Sequence, residues 1–284
     1  MTARRARRAK DLAFRLALMA CLAIAVGLLA LLLVDVALDG AGTLSWDFIN
    51  NFTSISADKA GIQAALWGTI WLMGVCALFI VPVGVATAIY LEEYADDTRW
   101  WNRLIELNVQ NLAAVPSIVY GILGLAVLVR GPLSLGNVVL SGGLTLGLLV
   151  LPMVIIASRE ALRAVPSSIR EGSMALGATQ WQAIWRQVLP AAVPGIATGV
   201  ILALSRAIGE TAPLIMIGAV TYISFDPTIL GQFTALPIQI YSFLRLPQAE
   251  FKLLAAASII VLLAILLTLN AFAIFIRNRY RRTW

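Results

Sequence analysis

Residues 64–91, AALWGTIWLMGVCALFIVPVGVATAIYL, contain no charged side chain. A helix needs about 20 apolar residues to cross the hydrocarbon core of a bilayer, which is about 30 Å thick. Five further apolar runs of similar length flank this one along the chain. The six predicted crossings are Leu12–Leu38, Ala64–Leu91, Ile105–Val129, Val138–Ala157, Ala191–Val220 and Leu253–Ile276. The sequence therefore predicts an all-α membrane protein with six transmembrane helices.

Composition supports this class and excludes several others. Hydrophobic residues make up 60% of the chain and charged residues only 13%, which is unusual for a soluble globular domain. The chain has no histidine, which excludes histidine-based acid–base catalysis and most zinc sites. Cys21 and Cys76 stand alone in apolar runs, so we expect them to act as small hydrophobic residues.

The basic residues predict the orientation of the helices, because short cytoplasmic loops retain Lys and Arg. With a cytoplasmic N-terminus, the cytoplasmic segments hold most of the 21 Lys and Arg, and six crossings return the C-terminus to the cytoplasm. We expect these residues to orient the helices and contact lipid headgroups, not nucleic acid. The predicted divisions are a basic N-terminus at 1–11, a transmembrane domain at 12–276 with a cytoplasmic loop at 158–190, and a basic tail at 277–284.

The loop at 158–190 has the pattern of two short helices. Ser168 and Glu171 have the spacing of a capping box, which predicts a helix start at Ser168. Gly177 is suited to the left-handed position that ends a helix, and Thr179 to the cap of the next. One apolar face is then predicted for the second helix, formed by Trp181, Ile184, Trp185 and Val188. This face indicates either a connector on the membrane surface or a docking element for a cytoplasmic protein.

No ATP-binding loop is present in the chain. A Walker loop needs Gly-Lys followed by Ser or Thr, and none of the three lysines, Lys10, Lys59 and Lys252, follows a glycine. We therefore expect any ATPase activity to come from a separate subunit.

Two charged residues fall inside the fifth predicted crossing. Arg206 and Glu210 are spaced i,i+4, which places them on the same helical face, and Pro213 is expected to kink the helix beside them. A charge near the bilayer centre costs about 2.5 to 3.5 kcal/mol, so such residues usually pair, face a cavity or bind a substrate. The pair indicates either a transport pathway or an ion pair that locks two helices together.

The third predicted crossing contains Pro116-Ser117-Ile118-Val119-Tyr120-Gly121. Pro116 and Gly121 are suited to a kink and to close helix packing, while Ser117 and Tyr120 offer hydroxyl groups to a pathway. The pattern leaves both interpretations open.

Three segments carry a resemblance to a known family. Glu171-Gly172-Ser173, Gly177 and Leu189-Pro190 resemble the EAA loop of ABC importer permeases, although Gly172 and Ser173 replace two alanines and Gln187 replaces a usual isoleucine. The stretch 205–214, SRAIGETAPL, closely resembles the signature of PstA-type phosphate permeases, and 116–121 resembles a second segment shared by the phosphate permease pair.

This resemblance implies a MetI-like type I permease of the bacterial inner membrane, without enzymatic activity, that imports phosphate by alternating access. It implies as partners a PstC-type permease, a PstB-type ATPase dimer that binds the ATP and Mg, and a PstS-type phosphate-binding protein; no cofactor or metal is expected on this chain. The implied pathway or gate residues are Arg206, Glu210, Thr211, Pro213, Ser117 and Tyr120. The implied ATPase-docking residues are Ser168, Glu171, Gly172, Ala175, Gly177, Thr179, Leu189 and Pro190.

Three other functions are compatible with some of these features. The same architecture serves importers of other oxyanions, such as tungstate or phosphonate. An ion-coupled secondary transporter would be expected to show internal repeats and relay carboxylates, which this chain lacks. A membrane-embedded enzyme would need clustered catalytic groups, and Glu210 is the one acid well inside a predicted crossing.

Overall fold

A computed structural model describes residues 2–96 and 98–279 of the chain, with the side chains of residues 10–96, 98–275, 277 and 278. These residues form helices and contain no β-strand. The helices are α1 Thr2–Ala41, α2 Trp46–Asn50, α3 Gln63–Ile89, α4 Trp100–Ala113, α5 Ser117–Gly124, α6 Val139–Arg163, α7 Ser167–Ala175, α8 Gln180–Ala183, α9 Leu189–Ile208, α10 Ala212–Met216, α11 Leu236–Leu244 and α12 Ala249–Arg279. The predicted basic tail lies outside the described residues from position 280 onward.

Three π-helical turns extend or join these helices in the described chain. Tyr90–Tyr94 extends α3, Leu125–Val129 extends α5, and Ile184–Val188 joins α8 to α9. Five helical segments are long and apolar enough to cross a membrane: Lys10–Ala41, Gln63–Tyr94, Val139–Arg163, Gln180–Ile208 and Ala249–Phe275. A bent pair, Trp100–Ala113 with Ser117–Val129, gives a sixth span if it is counted as one.

The third predicted crossing is broken, which corrects the expectation of one helix over Ile105–Val129. Its two halves, α4 and α5, meet at an angle of 107°. Pro116 has no backbone N–H and disfavours helical dihedral angles at the residue before it, so α4 ends ahead of it and α5 begins directly after it. The Tyr120 hydroxyl donates a 2.8 Å hydrogen bond to the Leu112 carbonyl, which ties α5 back to the last turn of α4.

The fifth predicted crossing, Ala191–Val220, is also not one helix. It begins earlier, at Gln180, and ends at Ile208, with Gly209 as the C-terminal cap. Pro213 occupies the second position of the short helix α10, where a missing N–H costs no hydrogen bond. A left-handed Gly218, with φ of +86°, then turns the chain into an irregular segment that continues to α11. Apart from Glu210 and Thr211, residues 209–220 carry no polar side chain, so hydropathy alone does not reveal the break.

Helix α6 lies at the centre of the bundle and packs through small residues on two sides. A Cβ on Gly143 would lie 2.6 Å from Val75, and one on Gly147 would lie 2.6 Å from Phe79, so glycine allows α3 to approach closely. On the α9 side, Gly195 and Gly199 face Ala161 and Ala157 in the same way. Small residues four apart are typical of helix interfaces in membranes.

Helix α1 lies along the edge of this bundle, and no residue of its most apolar 18-residue window is buried. It contacts α12 near its end, where a Cβ on Gly40 would lie 2.7 Å from the backbone of Ala256. We call the end of the bundle that carries α7 and α8 the inner end, and the opposite end the outer end. These names follow the orientation predicted from the basic residues, which stays a prediction.

Candidate functional site

Arg206 lies in the last turn of α9, halfway through the bundle. In the antiparallel pair of α6 and α9, Gly195 faces Ala161 and Gly199 faces Ala157. The same register places Arg206 level with about residue 150 of α6, which spans Val139–Arg163. Irregular backbone therefore follows Arg206 at the middle depth of the bundle. At membrane depth such backbone is tolerated only where it is buried in protein or lines a water-filled cavity.

Arg206 and Glu210 form a loose ion pair at this break. The Nε atom of Arg206 lies 3.5 Å from a carboxylate oxygen of Glu210, and the side chains are 47% and 19% exposed. Within the part of the chain that the structure describes, the guanidinium makes no hydrogen bond. Most of its five N–H donors therefore remain available to an anion, and its planar fork matches the geometry of an oxyanion.

The structure brings the two segments that resemble the phosphate permease family into contact. A Cβ on Gly121 of α5 would lie 2.7 Å from Cα of Pro213 and 2.8 Å from Cβ of Met216 in α10. Glycine at position 121 thus allows α5 to pack directly against the short helix that follows the break. The neighbouring Tyr120 of α5 is buried.

The other predicted pathway residues lie at the ends of these elements. Thr211 is half-buried and precedes α10, and its carbonyl accepts a hydrogen bond from the Ile215 N–H. Ser117 is half-buried in the first turn of α5. The Tyr120 hydroxyl donates to Leu112, so its proton is used at the bend between α4 and α5. Arg206, Glu210 and the two hydroxyl residues 117 and 211 therefore remain the groups able to meet a solute.

Sequence reasoning missed a polar contact next to Arg206. The Ser205 hydroxyl lies 2.6 Å from the Oδ1 atom of Asn270, which joins α9 to α12 inside the bundle. Asn270 interrupts an otherwise apolar run, and that isolated polar residue was the available signal. The contact fixes the last turns of α9, from which Arg206 projects.

The loop between α6 and α9 forms two short helices, as predicted, but with a different start. Helix α7 begins at Ser167 with Pro166 as its cap, so the predicted capping box at Ser168 is wrong. Gly177 adopts a φ of +87°, which confirms its left-handed position. The Thr179 hydroxyl accepts a hydrogen bond from the backbone N–H of Gln182. The side-chain oxygen of Gln182 accepts one from the backbone N–H of Thr179, which confirms this cap.

The predicted single apolar face of the second helix is divided in two. Ile184 and Val188 are buried against the bundle, whereas Trp181 and Trp185 are more than half exposed. The two indole rings stack on each other with centroids 5.4 Å apart. The reason is the π-helical turn at 184–188, which alters the helical spacing within the predicted face. The stacked tryptophans form an exposed aromatic surface at the inner end.

The predicted docking residues occupy both the tip and the base of this loop. Those at the tip, Glu171, Gly172, Ala175 and Thr179, are exposed. Leu176, which sequence reasoning did not select, is 91% exposed. Leu189 and Pro190 lie at the base, where Leu189 packs against a buried apolar cluster. An exposed tip on a packed base is the arrangement expected of a docking element.

Sequence reasoning also missed an ion-pair cluster at the inner end. Arg159, Arg163 and Arg170 were interpreted as orienting charges, yet they pair with Glu106, Glu92 and Glu93 at 2.8, 3.0 and 2.7 Å. Nearby, a hydrogen bond from the Thr98 hydroxyl lowers the pKa of Asp96, helped by the Thr98 N–H. The ion pairs connect α4, α6 and α7 to the π-helical turn Tyr90–Tyr94 at the end of α3.

Comparison with known proteins relates this chain to a family. A model of the family described as "Binding-protein-dependent transport system inner membrane component" matches residues 80–282. The phosphate transport system permease protein PstA 1 of Mycobacterium tuberculosis (strain CDC 1551 / Oshkosh) is 38% identical over 218 residues, covering 76% of this chain and 70% of that protein. PstA of Haemophilus influenzae is 32% identical over 234 residues, covering 82% and 81%.

A solved structure supports the fold at lower sequence identity. A chain of a bacterial alginate ABC transporter, crystallised with a periplasmic protein bound to an alginate pentasaccharide, superposes with a TM-score of 0.70. The two chains are 18% identical, and the match covers 96% of this chain and 98% of that one. At this identity the likeness shows the fold alone.

Proposed function

This chain belongs to the family of binding-protein-dependent transport system inner membrane components, and on that premise we propose that it is a permease subunit of an ATP-driven importer of inorganic phosphate. The family is one of multi-pass, non-catalytic membrane subunits. The substrate assignment is supported by relatives of 38% and 32% identity that are named as phosphate permeases. The observation that carries the proposal is the mid-depth break after α9, with the fork of Arg206 beside Glu210.

The chemistry of these two side chains suits phosphate. The guanidinium of Arg206 offers paired N–H donors to an oxyanion, which is a stronger arrangement than a single point charge. The carboxylate of Glu210 can accept a hydrogen bond from the P–OH group of HPO₄²⁻, and it repels an oxyanion that carries no proton. A site of this kind favours phosphate over sulfate.

Transport by this chain requires partners. We propose that it pairs with a PstC-type permease to enclose the pathway, and that a PstS-type binding protein delivers phosphate at the outer end. A PstB-type ATPase dimer, which holds the ATP and Mg, is proposed to dock on α7 and α8. Its closing and reopening would exchange inward and outward openings of the pathway, while this chain performs no covalent chemistry.

Phosphate uptake into proteoliposomes that contain the four subunits tests this function. We expect ATP-dependent uptake with the native chain and a loss of about tenfold or more with Arg206→Ala, because removing a charged hydrogen-bond donor costs about 1.5 to 3 kcal/mol. Arg245→Ala is the matched control, since Arg245 is an exposed arginine at the opposite, outer end. Assembly of each variant is measured by co-purification of the ATPase.

The outcomes separate this function from its rivals. If the native complex hydrolyses ATP but moves no phosphate, the substrate is wrong, and tungstate and phosphonate are the next probes. Uptake that follows an imposed ion gradient without ATP would instead identify a secondary transporter. Equal uptake by Arg206→Ala and the native chain would remove Arg206 from the pathway.

A further inference from the structure

Six charged side chains at the inner end form two ion-paired groups on four elements. The acids come from the end of α3 and from α4, and the arginines come from α6 and α7. One group joins Arg159 to Glu106 at 2.8 Å and to Glu92 at 3.5 Å, and Arg163 to Glu92 at 3.0 Å. The other group is the pair of Arg170 and Glu93 at 2.7 Å.

Arg170 is the member that holds α7. Its fork binds the Glu93 carboxylate through Nε and one terminal nitrogen, at 3.1 and 2.7 Å. The terminal nitrogens also donate to the carbonyls of Leu162 and Val165, at 2.8 and 2.7 Å. Leu162 lies in the last turn of α6 and Val165 follows just after the helix, so both carbonyls are at its C-terminal end. One arginine of α7 thus joins the ends of α3 and α6.

Glu93 makes a second connection, to α8. The side-chain amide of Gln180, the first residue of α8, donates a hydrogen bond to the backbone carbonyl of Glu93. Both helices of the loop are therefore held by the same residue. Glu93 lies in the π-helical turn Tyr90–Tyr94, and such turns are frequent at functional sites.

Burial distinguishes this connection from an ordinary surface ion pair. The side chain of Glu93 is 7% exposed and that of Arg170 is 21% exposed. Exposed ion pairs contribute little, but removing one partner of a buried pair leaves an uncompensated charge and is costly. We therefore expect the loop to be held firmly against α3 and α6.

The loop consequently has three connections to the bundle. Two are covalent: residues 164–166 join α7 to α6, and the π-helical turn at 184–188 joins α8 to α9 and so to Arg206. The third runs through Glu93 into α3, which packs along α6 through Gly143 and Gly147. Without this third connection, movement of the loop would act directly on α6 and α9 but not on α3.

We propose that Glu93 is a positioning residue that makes α7 and α8 move together with the inner end of α3, so that ATPase closure acts on α3 as well as on α6 and α9. This proposal rests on the proposed function, because it needs an ATPase docked on the loop. Loss of the Glu93 charge would weaken the hold of α7 on α3 while leaving the docking residues at the tip of the loop in place. ATP hydrolysis would then continue with less transport for each ATP.

The test is the number of phosphate ions imported per ATP hydrolysed by the complete importer in proteoliposomes. For Glu93→Gln we expect this ratio to fall about fivefold or more, the lower range of typical coupling between sites. Glu160→Gln is the matched control, because Glu160 is a 66% exposed acid at the same end of α6 with one contact of 3.7 Å, to Arg163. If Glu93 had a purely structural role, its replacement would lower the amount of assembled complex. The number of phosphate ions imported per ATP by the complex that does assemble would then be unchanged.

Each outcome decides one question. This inference is overturned if the native complex imports phosphate and the assembled Glu93→Gln complex imports as many phosphate ions per ATP as the native one. A native complex that imports no phosphate overturns the proposed function instead. If Glu93→Gln does not assemble, Gln180→Ala decides, because Gln180 is exposed and its loss removes only the second connection. A lowered ratio in Gln180→Ala supports the inference, and an unchanged one overturns it.

Discussion

At the scale of single residues, the position of Glu210 determines what it can do. Its carboxylate lies 3.5 Å from Arg206 Nε and is 19% exposed, so it meets whatever approaches the guanidinium. A carboxylate accepts hydrogen bonds, whereas the amide of glutamine carries no charge and also donates. The Glu210 side chain is therefore suited to discriminating between protonated and unprotonated oxyanions.

We predict that Glu210→Gln weakens the preference for phosphate over sulfate. Sulfate carries no proton at neutral pH, and the neutral amide no longer repels it; the change is expected to be about tenfold, the effect of roughly 1.4 kcal/mol. The measurement is competition of sulfate with radiolabelled phosphate during ATP-dependent uptake. Glu250→Gln, an exposed acid at the start of α12, is the control. Unchanged competition in Glu210→Gln would show that the carboxylate serves Arg206 and not selectivity.

At the scale of elements, α5 and α10 meet at a glycine. Gly121 leaves no space for a Cβ between α5 and the backbone of Pro213, so the contact depends on the absent side chain. The contact joins the two breaks of the bundle, one between α4 and α5 and one after α9. A change in either break is therefore transmitted to the other.

We predict that Gly121→Leu displaces α10 and lowers stability by about 1 to 3 kcal/mol, the usual cost of overpacking a close contact. Gly74→Leu is the matched control, because a Cβ at Gly74 has no neighbour within 4 Å. The measurement is the thermal midpoint of the purified complex, followed together with phosphate uptake. A midpoint equal to that of Gly74→Leu would mean that α5 and α10 separate freely.

The loop at 158–190, which we call the inner loop, offers a second prediction at this scale. Trp181 and Trp185 stack in an exposed position, and exposed aromatic pairs commonly supply anchor contacts in interfaces. We predict that Trp181→Ala combined with Trp185→Ala weakens binding of the ATPase subunit about thirtyfold or more, a loss of about 2 kcal/mol or more. Binding is measured by titration of the purified ATPase onto the permease pair. Trp46→Ala, at an exposed tryptophan of the outer end, should leave it unchanged.

How far the sequence predicted these elements depended on whether the signal was local. Gly177 and Thr179 were predicted correctly because a left-handed glycine and a cap depend on a few neighbouring residues. Kinks were expected near Pro116 and Pro213, but the sequence did not predict that helices end at Ala113 and Ile208. Hydropathy is averaged over a whole span, and it stays high across both breaks. The pairing of Glu93 with Arg170 joins residues 77 positions apart, and no local pattern announces it.

At the scale of the whole molecule, the packing contacts define how the helices are connected to one another. Helix α6 lies at the centre, α3 and α9 pack on it through glycines, and the inner loop connects to both. The break that carries Arg206 lies halfway between the loop and the outer end. If the ATPase docks on the loop as proposed, α7 and α8 must face the cytoplasm, where ATP is available, and the segment between α1 and α3 must face outward.

We predict that a cysteine at Leu176 reacts with a membrane-impermeant maleimide from the cytoplasmic side alone, and one at Ile55 from the outer side alone. Both positions are highly exposed, at 91% and 84%, so reactivity is limited by the membrane and not by packing. Cys21→Ala provides the background, and the buried Cys76 is left in place as an unreactive residue. Labelling is compared in right-side-out and inside-out vesicles. Reaction of Leu176→Cys in right-side-out vesicles would show that the orientation is the reverse of the predicted one. The docking loop would then lie on the outer side, beyond the reach of any ATPase.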